Sequence, residues 1–291
     1  MALLNDRGSE VGANEERTRE LWRLDAETAG FVLDNHMRTE SATIGDRVLS
    51  RGRQQHNYSA RLAVTPQEVK AAQTLRFLVF NLELNEGLEE SFASCRDSDP
   101  FDEVCDHLLV EDLATGEIVG TYRLQWGTTA LAGRGFYSAQ EFDLNPLLDR
   151  APRIVELGRA CVHREHRNLA VLGLLWRGIH HYAMEREARY LLGCSSLSSQ
   201  DPRAGASVYS QLVRRHLAAA DWQVAPLPAL ACPLLEMAVE TPRVPKLLSA
   251  YLSLGAKICG APAIDRDFKT IDFLTFLDLE VLCGSLTRFL G

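Results

Sequence analysis

Between Arg153 and Trp176 the hydrophobic pattern changes period. Ile154, Val155, Leu157, Cys161 and Val162 crowd around Glu156 and Arg159, which reads as a buried strand carrying one carboxylate and one guanidinium. A basic turn follows at Arg164 and Arg167. Leu172, Leu175, Trp176, Ile179 and Tyr182 then recur at three- and four-residue spacing, the stripe of an amphipathic helix. Because a helix N-terminus offers free N–H groups and positive potential, Arg164, Arg167 and Asn168 stand where an anion would be held. Elsewhere the pattern predicts a strand over 61–66, a helix over 68–80, and a hairpin of 106–110 and 118–125 around Thr115-Gly116. It continues with a strand over 190–195, a helix over 204–217, strand signals over 234–239, a helix over 245–254 and a last strand over 271–277. Strands alternating with helices predict a mixed α/β sheet. Residues 1–58 are charged and polar, with helical potential over 15–33, and read as an extension that is either an accessory helix or a disordered tail. The folded domain is placed at 59–291.

Composition narrows the class. The chain has 291 residues, 46% hydrophobic and 24% charged, which suits one sizeable globular domain. Its seven cysteines form no CxxC pair and no His/Cys ligand spacing, so they read as reduced thiols, and neither a metal nor a cofactor is expected. No stretch reaches the ~18 uncharged apolar residues of a membrane span, and the N-terminus lacks an apolar signal core. The expected location is the cytoplasm, or the inner membrane face as a peripheral protein. A net charge of −8 without a lysine-rich stripe argues against nucleic-acid binding. The charge is uneven: residues 83–117 hold twelve acidic side chains and one arginine, whereas 159–215 hold nine arginines and four acidic side chains. One reading is two solvated faces. The other is a split between substrates, the basic segment receiving an anionic carrier arm and the acidic one a cationic amine.

Residues three apart on a regular strand point to opposite faces, so Glu156 and Arg159 could not share a site without an irregularity. Gly158 between them marks a candidate bulge, which would turn both side chains to one face and free a backbone N–H to stabilise an oxyanion. Glu156 is then a candidate base and Arg159 a partner for a carboxylate. The alternative is an internal Glu–Arg ion pair that pins the strand. Cys194 has no His partner in the sequence and reads as a buried small residue.

The strand, basic turn and helix resemble the core of the GNAT N-acyltransferases, and the wording is closer to the branch that acylates ornithine to lyso-ornithine lipid. The resemblance is carried by Leu75-Arg-Phe-Leu-Val-Phe80, the run from Asp99-Pro-Phe-Asp102 to Val110, Glu156-Leu-Gly-Arg159 and Leu174-Leu-Trp-Arg-Gly178. It extends through Ala250-Tyr-Leu-Ser-Leu-Gly-Ala256, Pro262-Ala-Ile-Asp265 and Phe268-Lys-Thr-Ile-Asp-Phe273. It implies an acyl-CoA N-acyltransferase-like mixed sheet flanked by helices. Arg76, Phe80, Asp99, Asp102, Arg123, Glu156 and Arg159 also match the motif set of the distantly similar N-acylhomoserine lactone synthases. The resemblance thus implies Glu156 as catalytic and Arg76, Phe80, Asp99, Asp102, Arg123 and Arg159 as substrate-binding. Asp99 or Asp102 is expected to select a cationic side chain. Tyr209, in an Ala206-x-x-Tyr209 helix where many GNAT enzymes place a thiolate-protonating tyrosine, is the second catalytic candidate, its alternative being the apolar stripe of that helix.

Arg164, Arg167, Asn168 and Trp176 are the expected donor-binding residues. The positions after Arg167 are Asn168, Leu169, Ala170, Val171 and Leu172, without the glycines that let backbone approach a pyrophosphate in most acetyl-CoA enzymes. That departure favours the single phosphate of an acyl carrier protein's phosphopantetheine thioester as donor. The reaction that the resemblance implies moves a 3-hydroxyacyl chain to the α-amine of L-ornithine. Runner-up readings are N-acylation of glycine or another amino acid, and a catalytically silent acyl-carrier-binding module.

Overall fold

A computed structural model describes residues 57–240 and 242–281. The 1–58 extension, apart from Asn57 and Tyr58, and its helical stretch over 15–33 lie outside the described residues, as does Cys283. Eight strands form one sheet: β1 (Tyr58–Leu62), β2 (Asp106–Asp112), β3 (Glu117–Trp126), β4 (Ile154–Val162), β5 (Tyr190–Leu197), β6 (Lys257–Ile258), β7 (Ala263–Asp265) and β8 (Thr270–Asp278). Their order is β1-β2-β3-β4-β5-β8-β6, with β7 also on β8. Only β4 and β5 run parallel; the other pairs are antiparallel. The β2–β3 hairpin turns at the expected Thr115-Gly116, where Gly116 has φ +76° and donates its N–H to the Asp112 carbonyl at 2.7 Å.

The four principal helices are α1 (Pro66–Phe77), α2 (Leu169–Glu185), α3 (Pro202–His216) and α4 (Lys246–Ser253). Helix α1 opens with a capping box, Thr65 accepting from the Glu68 N–H while Glu68 reaches back to the Thr65 N–H, and Pro66 fills the first turn. It runs on into a π-helical turn, Leu78–Glu83, which turns Phe80 toward the sheet. Helix α2 covers one face. Val171, Leu174, Leu175, Ile179 and Tyr182 share a core with Leu108, Tyr122, Leu124 and Val155. The helix comes so near β2 that a Cβ on Gly178 would fall 2.6 Å from a Leu108 methyl. The opposite face holds Phe136, Phe142, Leu147, Leu192, Trp222 and Phe276, and Trp222 stacks on Phe276 at 4.3 Å.

The strand expected over 234–239 is absent. Leu235 and Val239 are fully exposed there, and the segment follows Pro233, which lacks a ladder N–H. The pattern also gave no sign of the 3-10 turns Tyr137–Gln140 and Asn145–Arg153, which return the chain to β4 across the face away from α2.

Candidate active site

The sheet comes apart at β4. Strands β4 and β5 pair at Ile154↔Tyr190, Val155↔Leu191 and Glu156↔Leu192, and then diverge. Gly193 sits at the fork, where a Cβ would lie 2.3 Å from the Leu157 carbonyl oxygen, so only glycine allows the two backbones to pass. Cavities open on both sides of the fork. One, of ≈ 240 Å³ and on the face away from α2, is lined by Phe80, Arg123, Tyr137, Glu156, Arg159 and Asp272 among others. The other, of ≈ 80 Å³ and largely apolar, is lined by Tyr122, Trp176, Leu191, Tyr251 and Leu277. The Leu157 to Ala160 stretch and Cys194 border both.

The irregularity expected in β4 is present, one residue later than Gly158. Thr121 faces Cys161 and Arg123 faces Gly158, so Tyr122 opposes both Arg159 and Ala160. The left-handed residue is Arg159 itself, at φ +49°. An L side chain in that conformation costs on the order of 1–3 kcal/mol and persists only where its surroundings fix it. Here Arg159 Nη2 donates to Asp99 at 2.8 Å, Nε lies 3.2 Å from Asp97, and the guanidinium lies over the rings of Phe268 (4.1 Å) and Tyr137 (4.7 Å). As a result Glu156 and Arg159 line the same cavity without pairing to each other. Glu156 instead accepts the Tyr137 N–H at 2.6 Å and the Ser138 N–H at 2.8 Å. Burial raises its pKa, against the opposing pull of these Ser138 and Tyr137 donors.

Three arginines and three aspartates form a charge-balanced layer behind that cavity. Arg76 donates Nε to Asp97 at 2.7 Å and both terminal nitrogens to Asp102 at 2.8 and 2.9 Å. Arg123 reaches Asp99 at 2.7 Å and Asp102 at 3.0 Å. Burial alone would raise Asp99 and Asp102, but Arg123 with Arg159, and Arg76 with Arg123, hold the two carboxyls below their usual range. Asp99 and Asp102 also form a capping box on the 3-10 turn Pro100–Glu103. Both are thus committed to arginines and backbone, and Arg76, Asp99 and Asp102 do not line the cavity. The expected selection of a cationic side chain by Asp99 or Asp102 is therefore not what the geometry offers. Two buried donors of the layer have no hydrogen-bond acceptor among the described residues: Arg159 Nε, which still lies 3.2 Å from Asp97, and Arg123 Nη2.

The other expected residues are dispersed. Tyr209 lies in neither cavity; it packs against the apolar cluster that holds Val208 and Leu212 of α3 and Leu197 of β5. The tyrosines at the fork are Tyr137 on one side and Tyr122 and Tyr251, hydrogen-bonded to each other, on the other. Burial pushes the Tyr137 phenol up to about 12, although Arg159 pulls the other way. Asn168 caps α2, accepting the Val171 N–H at 3.1 Å. Arg167 is held bidentately by Glu83 at 2.6 and 2.8 Å. These two and the exposed Arg164 lie outside both cavities, whereas Trp176 lines the apolar one.

Four residues gained no role from the sequence: Ser138, Glu141, Cys194 and Asp272. The Cys194 thiol donates to Ser138 Oγ at 3.5 Å and to Glu141 at 3.9 Å, and burial, then Glu141, keeps it well above a thiol's ordinary pKa, which suits no nucleophile. Glu141, Cys194 and Asp272 bring one ligand atom each within 4.8 Å of one another, the single such group among the described residues. Asp272 lay inside a motif string that carried the resemblance, so position alone could have flagged it. Glu141 had no signal.

A sheet that splits between two parallel strands joined by a helix, with a buried carboxylate at the split, defines a GNAT-type N-acyltransferase. The family model described as an acetyltransferase (GNAT) domain matches residues 75–177. FeeM, an N-acyl amino acid synthase from uncultured soil microbes, shares the fold with a TM-score of 0.52 at 15% identity, over 82% of this chain and all of that one. The sequence is 37% identical to the L-ornithine N(alpha)-acyltransferase of Agrobacterium fabrum, over 79% of this chain and 84% of the relative. It is 36% identical to the enzyme of the same name from Brucella abortus, over 79% and 88%. The chain belongs to the L-ornithine N(alpha)-acyltransferase family.

Proposed function

We propose that the protein transfers an acyl chain from a phosphopantetheine thioester, carried by acyl carrier protein, to the α-amine of L-ornithine, giving lyso-ornithine lipid. The observation that carries this reading is Glu156, a buried carboxylate with raised pKa, facing the same cavity as Arg159 at the fork of β4 and β5. The substrate's carboxylate meets the unpaired Nη2 of Arg123. Glu156, directly or through one water, takes the proton that the α-amine loses as its nitrogen bonds to the thioester carbon. The C–S bond breaks, and the thiolate leaves with a proton. Tyr251, at the apolar side of the fork, is the phenol best placed to supply it. The acyl chain lies on the Trp176 side. No helix among the described residues is long and apolar enough to cross a membrane, so contact with a bilayer would come through the lipid product and a peripheral surface.

The test is thiol release from matched acyl carrier protein and acyl-CoA thioesters against ornithine, glycine and norvaline. Fast release with the carrier protein and ornithine is expected. Equal efficiency with acyl-CoA would overturn the donor assignment, and equal rates with all three amines the ornithine assignment.

A further inference from the structure

The cavity beside Glu156 has an acidic floor that the transfer chemistry does not use. Asp272 on β8 lines it, 4% exposed, and its Oδ1 has no hydrogen-bond partner among the described residues. Behind it Glu141, also 4% exposed, leaves Oε2 without a partner. The arginines that line the cavity, Arg123 and Arg159, are drawn off by Asp97, Asp99 and Asp102, and no ion pair reaches Glu141 or Asp272 among the described residues. Two buried carboxyls this close have only each other and a shared proton to satisfy these oxygens, a place that a cation arriving with the substrate can take over.

We propose that Asp272, backed by Glu141, receives the side-chain ammonium of the amino-acid substrate and so makes the enzyme select a diamino acid. The inference rests on the ornithine reading above. Position supports it. Glu156, Cys194 and Asp272 line one cavity, and short contacts link them: Glu156 to Ser138 N at 2.8 Å, Ser138 Oγ to Cys194 Sγ at 3.5 Å, and Cys194 to Asp272 within 4.8 Å. Extended ornithine separates its two nitrogens by about 6 Å, and a hydrogen bond of about 3 Å at each end gives it a span of about 12 Å between two carboxylates of one cavity. Two other carboxylates border the cavity and fit less well. Asp265 already accepts the Asp267 and Phe268 N–H groups, and Glu86, whose Oε1 also lacks a partner among the described residues, is only partly buried. Burial raises both Glu141 and Asp272; Asp272 and Asp265 add to the rise at Glu141, and Asp265 to that at Asp272, where hydrogen bonds with Ser196, Thr270 and Glu141 pull the other way, so the pair holds a proton in the empty site that an incoming ammonium replaces.

The test measures kcat/KM for ornithine and norvaline in the wild type, Asp272→Asn and Glu141→Gln, with metal content by mass spectrometry. Norvaline lacks only the terminal amine. The expected result is a preference for ornithine in the wild type that falls at least tenfold in Asp272→Asn, with norvaline turnover within about threefold of the wild type. A smaller fall in the same direction is expected in Glu141→Gln. A preference that survives in both variants overturns the proposal while leaving the ornithine reading intact. A wild type with no preference overturns that reading instead. If Asp272→Asn does not fold, Glu141→Gln decides, and an unchanged ratio there counts against the proposal. So does one divalent ion per chain in the wild type that is lost in Asp272→Asn.

Discussion

Asp102→Asn separates a structural aspartate from a substrate-selecting one. Asp102 Oδ1 accepts from Arg76 and Arg123 at 2.8 and 3.0 Å, and Oδ2 from Gln73 and Arg76, both at 2.9 Å. Whichever way an asparagine amide is turned, its NH2 faces two donors. The layer also loses one of its three balancing negative charges while Arg76 stays fully buried. Removing one partner of such a buried pair costs about 3–5 kcal/mol. At about 2–4 °C per kcal/mol for a domain of this size, Tm should fall by about 6–20 °C. By contrast Arg61, whose side chain is 39% exposed, pairs with Glu68 at the surface, and Arg61→Ala should cost no more than about 1 kcal/mol. The pH dependence has a definite sign. Arg76 and Arg123, overcoming burial, hold Asp102 below its unfolded value, so its contribution is present above the ordinary carboxylate range and fades as pH falls through the depressed value. The gap between wild type and variant should therefore close on acidification. Thermal melts from neutral to acid pH, with the ornithine to norvaline ratio measured at neutral pH, check this. A Tm within about 2 °C of the wild type together with a collapsed ratio would refute the reasoning and return Asp102 to substrate selection.

Three further outcomes are expected. Glu156→Gln should lower kcat by about 10²–10⁴ and abolish the acid limb of the pH–rate profile, a limb set above the ordinary carboxylate range by burial of Glu156; stopped-flow thiol release at several pH values reads both. The same change leaves the Tyr137 or Ser138 N–H facing an amide NH2, so a Tm loss corresponding to about 1–3 kcal/mol is expected. Gly193→Ala drives a Cβ into the Leu157 carbonyl and should abolish turnover with every amine, measured by the same release assay. Glu141 and Asp272 have folded pKa values raised above their unfolded ones, so they favour the fold in acid and lose that contribution as pH rises through the raised values. Glu141→Gln should therefore gain stability relative to the wild type as pH rises, read by melts from pH 5 to 9.

Much of the frame was legible in order and spacing. The period change at 153–176 located β4, its turn and α2, because a strand and a helix each leave a distinct repeat of apolar positions. Glycine beside a charged strand pair pointed to a bulge. What it could not show is that Arg159, held by two aspartates and two rings, takes the left-handed position instead of Gly158. Asp99 and Asp102 looked available because sequence shows charge but not partners, and their partners Arg76, Arg123 and Arg159 come from three different elements. Tyr209 had the right spacing for its helix, yet that spacing equally describes an apolar stripe, and the residue packs against an apolar cluster. Glu141 and Asp272 meet only through the fold, one just after a 3-10 turn with no periodicity and the other on the fifth sheet strand that follows it in the chain. Arg167 and Asn168 stand at the helix N-terminus as expected, but Glu83 holds the one and the α2 cap occupies the other.

Regiochemistry of the product tests the central claim most directly. Fragmentation mass spectrometry of the product from ornithine and an acyl carrier protein thioester should show the acyl group on the α-nitrogen alone, because the side-chain ammonium is held at Asp272 while the α-amine faces Glu156. Acylation of the terminal nitrogen, or no acylornithine at all, would contradict it.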